Sequence, residues 1–350
     1  MTIILVGDGA EILAYAKLLQ ESNRKHKLFL TSAVGAGDFQ KFRQLKQQTD
    51  FIFINSQKAL KRQILKIPDI EYVFCFGLRW IIKKEILLIT PNWYNFNPIP
   101  IPHYLGGAHV SWQILHDYRQ AAIVVQRIED KVDRGQVIIA RKFKYPNRCR
   151  LPIDFLDENI RCFDKYKRQI YQILDQRPHK AVKINWNNRI YLPRLYTPVH
   201  SWIDWDQKGI EIERWIRAFS HPYNGARSNI QRQRIYFYNA RFIPKKQSHP
   251  FTRGLVVRID RTKGSLVVGA KDGFLEVEIS QELAEKIKVG QRIYTPAYKL
   301  RRAKKFEADS MFFEKNWRFI LRNIRKKSIL IFYFIFDVIR FIGPNKKRFD

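Results

Sequence analysis

The chain has 350 residues, enough for two domains of ordinary size, and its 45% hydrophobic content fits a globular protein. Lys and Arg number 64 against 32 Asp and Glu, a formal net charge of +32. Such an excess favours polyanionic partners, RNA or an anionic membrane, unless it only reflects solvated basic residues spread over the surface. The three cysteines, Cys75, Cys149 and Cys162, have neither disulfide nor metal-ligand spacing, which argues against an oxidised scaffold and a zinc site.

Met1 leads straight into the strand-like run Thr2–Val6 with no basic head or cleavage site, so a cytoplasmic protein is expected. The G-D-G at 7–9 lacks the third glycine of a dinucleotide fingerprint, Ile12 standing in its place. It reads as a tight turn opening a helix over Ala10–Glu21, against a nicotinamide-dependent oxidoreductase. Apolar runs at Ile3–Val6, Lys27–Leu30, Phe51–Ile54, Tyr72–Phe76, Trp93–Asn95 and Ala122–Ile128 alternate with helical segments such as Ala59–Leu65. That order predicts an α/β, Rossmann-like, mostly parallel sheet with helices on both faces and its ligand crevice beyond the carboxyl ends of the strands.

A long amphipathic helix is expected over Leu151–Gln176, with Ile153, Leu156, Ile160, Phe163, Ile170 and Ile173 along its apolar stripe. The segment 183–201, punctuated by Pro193 and Pro198, reads as a connector. After it come a helix at Ile210–Phe219 and strands at Arg234–Phe242, Gly254–Asp260, Ser265–Ala270 and Phe274–Ile279, with turns at 262–264 and 271–273. They predict an OB-like β-barrel. The last fifty residues form a basic amphipathic tail, in which the apolar run Ile329–Gly343 is broken by Asp337 and Arg340 and is too short to span a bilayer. Its basic flanks suit either peripheral membrane contact through residues 320–348 or docking on the body or a second subunit.

The segment from Asn95 to Gly135 carries the chemistry. It reads N-F-N-P-I-P-I-P-H-Y-L-G-G, then a helical run, then Q-R-I-E-D-K-V-D-R-G. This resembles the 10-formyltetrahydrofolate-dependent formyltransferases, the methionyl-tRNA type above all, with sugar N-formyltransferases as close relatives. Asn95, Pro102, Gly106, Asp133 and Gly135 fall where that family has its motif residues, and Asn97 stands where the family has a histidine. The segments Ile203–Trp205 and His221–Arg227 resemble the start of the family's C-terminal domain.

The resemblance implies a catalytic domain at residues 1–185, a linker at 186–205, an OB-like domain at 206–300 and the tail at 301–350. It implies transfer of a formyl group from 10-formyltetrahydrofolate, the co-substrate, to a primary amine on tRNA or on a nucleotide-linked amino sugar. Asn95 would donate to the oxyanion of the tetrahedral intermediate, Asp133 would take up the amine proton, and Asn97 would stand in as a second donor that cannot titrate. Leu78, Arg79, Trp80 and Ile81 would line one side of the folate pocket, and Ile128 and Asp130 the other. No metal is implied. Because Asn97 removes a proton carrier, a catalytically impaired folate or nucleotide-sugar binding protein is the reading from another class. The segment Thr31–Gln40 has no basic residue where the tRNA enzymes carry a basic insertion, which weighs against tRNA.

Overall fold

The computed structural model describes residues 1–31, 51–78, 80–129, 135–245 and 249–306. Residues 1–308 make one compact unit. Its first layer is a seven-stranded sheet built from β1 (Thr2–Gly7), β2 (His26–Thr31), β3 (Phe51–Ile54), β4 (Ile70–Phe76), β5 (Trp93–Asn97), β7 (Gln120–Arg127) and β8 (Val137–Lys144). A short β6 (Leu105–Gly106) lies outside it. The order is β3-β2-β1-β4-β5-β7-β8. The first five strands run parallel, and β7 and β8 turn antiparallel.

Parallel strands covered on both faces need apolar side chains on both, and β1, buried at every position, has them. One face packs on α1 (Ala10–Glu21) and α5 (Pro152–Asp175) through Ile12, Tyr15, Leu19, Phe163, Ile170 and Leu174. The other packs on α2 (Gln57–Ile64) and α3 (Lys84–Leu87) through Leu60, Ile64 and Ile86. The G-D-G turn ends β1 at Gly7 and caps α1 at Gly9, as a helix-opening turn should. A further helix, α4 (His109–Leu115), precedes β7.

The bounds of α5 match the expected helix, and its buried stripe matches in part: Phe163 and Ile170 are buried, and Leu156 and Ile173 pack partly buried on the cores. Phe155, Asn159, Phe163, Ile170 and Leu174 point inward, while Ile153 is 40% exposed. Two cores meet along this helix: Phe155 joins the C-terminal cluster, and Phe163 onward joins the sheet's. Asn159 is buried because Tyr145 donates to its Oδ1 at 2.6 Å, a partner no helical periodicity reveals. The Asp154 carboxylate accepts the backbone N–H groups of Arg150 and Leu151, both at 2.8 Å, and Pro152 opens the first turn.

The connector holds β9 (Tyr191–Leu192), which pairs with β6, and a turn of helix, α6 (Thr197–His200). Beyond α7 (Gly209–Ala218), β10 (Ala226–Ile230) and β11 (Gln233–Phe237) form an antiparallel sheet with β16 (Ile293–Tyr294). β12 (Ala240–Pro244), β13 (Val256–Asp260), β14 (Ser265–Ala270) and β15 (Gly273–Glu278) form a second, of order β12-β15-β14-β13. The single strand expected at Arg234–Phe242 is therefore two, in different sheets, and β8, β10 and β16 were not anticipated. The break lies at Tyr238 and Asn239, where the Asn239 amide donates to Glu278 and its backbone C=O accepts from the Glu278 N–H. The chain continues through α8 (Gln281–Lys286) to α9 (Ala297–Lys305).

Both C-terminal sheets and α7 enclose a core of Ile212, Ile216, Phe219, Phe237, Leu266 and Val277, which takes in Val110, Ile114, Tyr145 and Phe155 from the first half. Among the described residues no helix is long and apolar enough to cross a membrane. The basic tail beyond residue 306 lies outside the described residues.

Candidate active site

Strand β5 positions the two asparagines. Asn95 sits beside Cys75 of β4 and opposite Gln126 of β7, and Asn97 sits opposite Val124. Side chains alternate across a strand, so Trp93, Asn95 and Asn97 share one face while Tyr94 and Phe96 point to the other. The burial confirms this split. Phe96 packs on Phe76 and Phe163 in the core beneath α1 and α5, whereas Trp93 joins Val73, Cys75 and Ile86 on the opposite face.

By the same alternation Gln126 lies on the face of Asn95. It is 4% exposed, and its Nε2 donates to the carbonyl of Gly135 at 2.8 Å. The Arg127 N–H reaches the Gln136 carbonyl at 2.8 Å. A Cβ on Gly135 would lie 1.9 Å from the Arg127 carbonyl oxygen, so only glycine fits this close return. The backbone just after residues 130–134 is thus pinned beside the cross-strand neighbour of Asn95. Asp133, Asp130 and Arg79 themselves lie outside the described residues.

Three expected pocket residues converge. Leu78, Trp80 and Ile128 all pack against the cluster containing Val73, Cys75 and Trp93, and the Ile128 N–H donates to the Trp93 carbonyl at 2.8 Å. Ile81, 40% exposed, stays outside that cluster, and its neighbour Ile82 is buried in it. The Trp93 Nε1–H is buried with no acceptor, the kind of orphan donor that marks a place for a ligand or water. This combination, an apolar wall, amides at its edge and an unmatched buried N–H, fits an aromatic heterocycle that carries hydrogen-bonding groups.

On the far side of the amides lies another apolar cluster, of Ile99, Ile101, Leu105, Val124 and Val137, backed by Val182, Ile184 and Trp186. The chain reaches it from β5 through the cis Ile101–Pro102 bond and then pairs Leu105 and Gly106 with Tyr191 and Leu192 of β9. Gly106 has φ +96°, and a Cβ there would meet the Leu192 carbonyl oxygen at 2.4 Å. Trp112 fastens the same junction by donating to the Pro193 carbonyl at 2.8 Å. Asn95, Asn97 and Gln126 therefore form a polar strip between two apolar patches on one sheet face. Trp93, Gln126 and the connector residues escape a motif-based reading. The period-two pattern of β5 and β7 carries the signal for the first two.

Asn95 and Asn97 supply amide donors and no titratable group. His103 stacks its edge on Tyr118, and His109 opens α4 with its Nε2 buried and unpartnered, burial pushing the imidazole down to about 4. Among the described residues neither histidine is hydrogen-bonded to Asn95 or Asn97, and no group of His, Cys, Asp and Glu could hold a metal ion.

Residues 197–294 match the family model of the formyl transferase C-terminal domain. The methionyl-tRNA formyltransferase of Borrelia recurrentis (strain A1) is 26% identical over 241 residues, 67% of this chain and 72% of that protein. A sugar 3N-formyl transferase, solved in the presence of dTDP and 5-N-formyl-THF, shares the fold with a TM-score of 0.57 at 15% identity, over 80% of this chain and 97% of that one. The N-formyltransferase of Helicobacter canadensis, in complex with folinic acid and dTDP-3-aminofucose, gives 0.56 at 13% identity, over 79% and 98%. The chain is thus similar to formyltransferases over about two thirds of its length, and residues 197–294 match the model of their C-terminal domain.

Proposed function

We propose that this chain is an N-formyltransferase that moves a formyl group from 10-formyltetrahydrofolate to a primary amine, in the manner of the methionyl-tRNA enzymes, within cytoplasmic one-carbon metabolism. The observation that carries the reading is the strip of Asn95, Asn97 and Gln126 on the sheet face that also holds Leu78, Trp80 and Ile128. The folate would lie against Leu78, Trp80 and Ile128, with Arg79, Ile81 and Asp130 completing the lining and the formyl carbon at Asn95. The co-substrate supplies the activated formyl group, and the protein does the rest. The Asn95 amide donates to the oxygen that becomes negative as the amine attacks, and Asp133, two residues before Gly135 in the chain, accepts the amine proton. In this reading residues 1–185 form the catalytic domain, 186–205 the linker, 206–300 an OB-like barrel and 301–350 the basic tail.

The relatives named as methionyl-tRNA formyltransferases and the basic C-terminal surface support tRNA as acceptor. There the exposed Arg234 lies over the buried Trp202 ring at 5.3 Å, and α9 presents Arg301, Arg302, Lys304 and Lys305 to solvent. Such exposed cations suit phosphates. The second reading, a nucleotide-linked amino sugar, is favoured by Thr31–Gln40, which lacks any basic residue.

Turnover of 10-formyltetrahydrofolate with methionyl-tRNA and with dTDP-linked amino sugars tests both. Asn97 cannot carry a proton, so slow turnover is expected from the native chain. Asn97→His should raise kcat at least about tenfold, within the about 10²- to 10⁴-fold reach of positioned proton transfer. Folate binding with no turnover in either form would make the chain a binding protein instead.

A further inference from the structure

A cleft of about 540 Å³ opens on the sheet face opposite Asn95, lined by Asn92, Tyr94, Arg127, Ile138, Arg177 and His179 among others. Tyr94 and Arg127 are direct cross-strand partners, and Tyr94 and Ile138 belong to the core on that face. Two guanidiniums are fixed at its rim by backbone carbonyls. Arg127 Nη2 donates to the Pro91 oxygen at 3.0 Å, and Arg177 Nη2 to the Glu71 oxygen at 2.6 Å. Asn92 Nδ2 shares that same Glu71 oxygen at 3.0 Å. His179 Nδ1 meets the Gln176 carbonyl at 3.0 Å, and its Nε2 meets the Tyr94 hydroxyl at 3.0 Å. A carbonyl only accepts, so Nδ1 carries the proton and the Tyr94 hydroxyl donates to Nε2 of a neutral ring.

The charge of the cleft is unbalanced. Glu71 and Asp175, whose neighbours build it, are both taken by Arg24, at 2.6 and 3.0 Å. Among the described residues neither Arg127 nor Arg177 makes an ion pair. Two forks held in place by one N–H each keep further donors for an anion, and their fixed geometry lowers the entropy cost of binding it. Tyr94, Ile138 and Pro178 add an apolar side, and the volume exceeds what a bare ion fills.

We propose that this cleft binds a phosphate monoester, its dianion matched by Arg127 and Arg177 and its organic part resting on Tyr94, Ile138 and Pro178. The site is separate from the formyl-transfer strip, since β5 places Tyr94 and Asn95 on opposite faces.

His179 is the reporter. Burial, opposed by its hydrogen bond to Gln176 and assisted by the Arg177 and Arg127 charges, holds its imidazole below the ordinary range. A bound dianion cancels the repulsion from the two arginines and should raise the His179 titration midpoint in NMR of the full chain. Inorganic phosphate and uridine 5′-monophosphate should both do so at constant ionic strength, the nucleotide at lower concentration. Arg127→Gln and Arg177→Gln, checked for an unchanged melting temperature, should each weaken binding about ten- to hundredfold, as expected for losing one hydrogen bond to a charged partner. An equal shift with chloride, unaltered binding by both variants, or equal binding of an oligoribonucleotide lacking a terminal phosphate would overturn the proposal.

Discussion

Asn95 and Asn97 differ by two positions on one strand, so they present their amides from the same face about one strand repeat apart. If Asn95 donates to the oxyanion, Asn95→Ala should lower kcat about 10²- to 10³-fold with a smaller change in KM, because that bond strengthens only as charge develops. A loss confined to KM would place the amide on the ground-state substrate. His109 poses a question of stability. Its folded-state value of about 4 is below that of a free imidazole, so the folded chain prefers the neutral ring and the unfolded chain binds the extra proton first. Stability is fully present above about pH 6.5, falls as pH drops toward 4, and levels off below, a change of roughly 3 kcal/mol. Urea unfolding at pH 7 and pH 4.5 checks this by difference. His109→Gln should lose less stability than the native chain between the two, and equal losses would show that other groups govern the slope.

Among elements, the β7–β8 hairpin matters most, because it fixes Gly135 beside Gln126, the cross-strand neighbour of Asn95. Gln126, Arg127, Gly135 and Gln136 form its neck, with hydrogen bonds of 2.8 Å from Gln126 to Gly135 and from Arg127 to Gln136. Gly135→Ala forces a methyl against the Arg127 carbonyl, so it should destabilise by about 1–3 kcal/mol, as overpacking does. It should also lower formyl transfer more than it lowers stability at assay temperature. A variant with native activity and an intact melting temperature would show that the neck can shift without consequence. The hairpin was half legible. Ala122–Ile128 announces β7 through its apolar run, while β8 hides because its outer residues, Arg141, Lys142 and Lys144, make it look like a solvated segment.

At the level of the whole molecule, one hydrophobic cluster joins Val110, Ile114 and Phe155 to α7 and to both C-terminal sheets. Ser111 Oγ also donates to the Ala218 carbonyl at 2.9 Å, and Arg150 bridges to Glu213 at 2.9 Å. Residues 1–306 are therefore expected to unfold in a single transition by calorimetry and by far-ultraviolet circular dichroism. Phe219→Ala, at 1% exposure in that shared core, should destabilise by about 3–5 kcal/mol and move the whole transition. Two separated transitions, with only the later one shifted, would mean that the halves fold independently.

The sequence by itself determined the alternation of strands and helices, the bounds of α1 and α5 and the presence of Asn95 on a strand, because these depend on local periodicity and on short motifs, though that strand runs on to Asn97. The tertiary structure alone decided which face of β5 the amides share, that Gln126 and Trp93 accompany them, and that Arg127 and Arg177 meet across a cleft from residues fifty apart. Strand pairing brings such residues together through register and topology, and neither is encoded in the neighbourhood of any one residue. The buried stripe of α5 shows the same reason at work: two different cores claim its two ends, and only packing settles which side chains go inward.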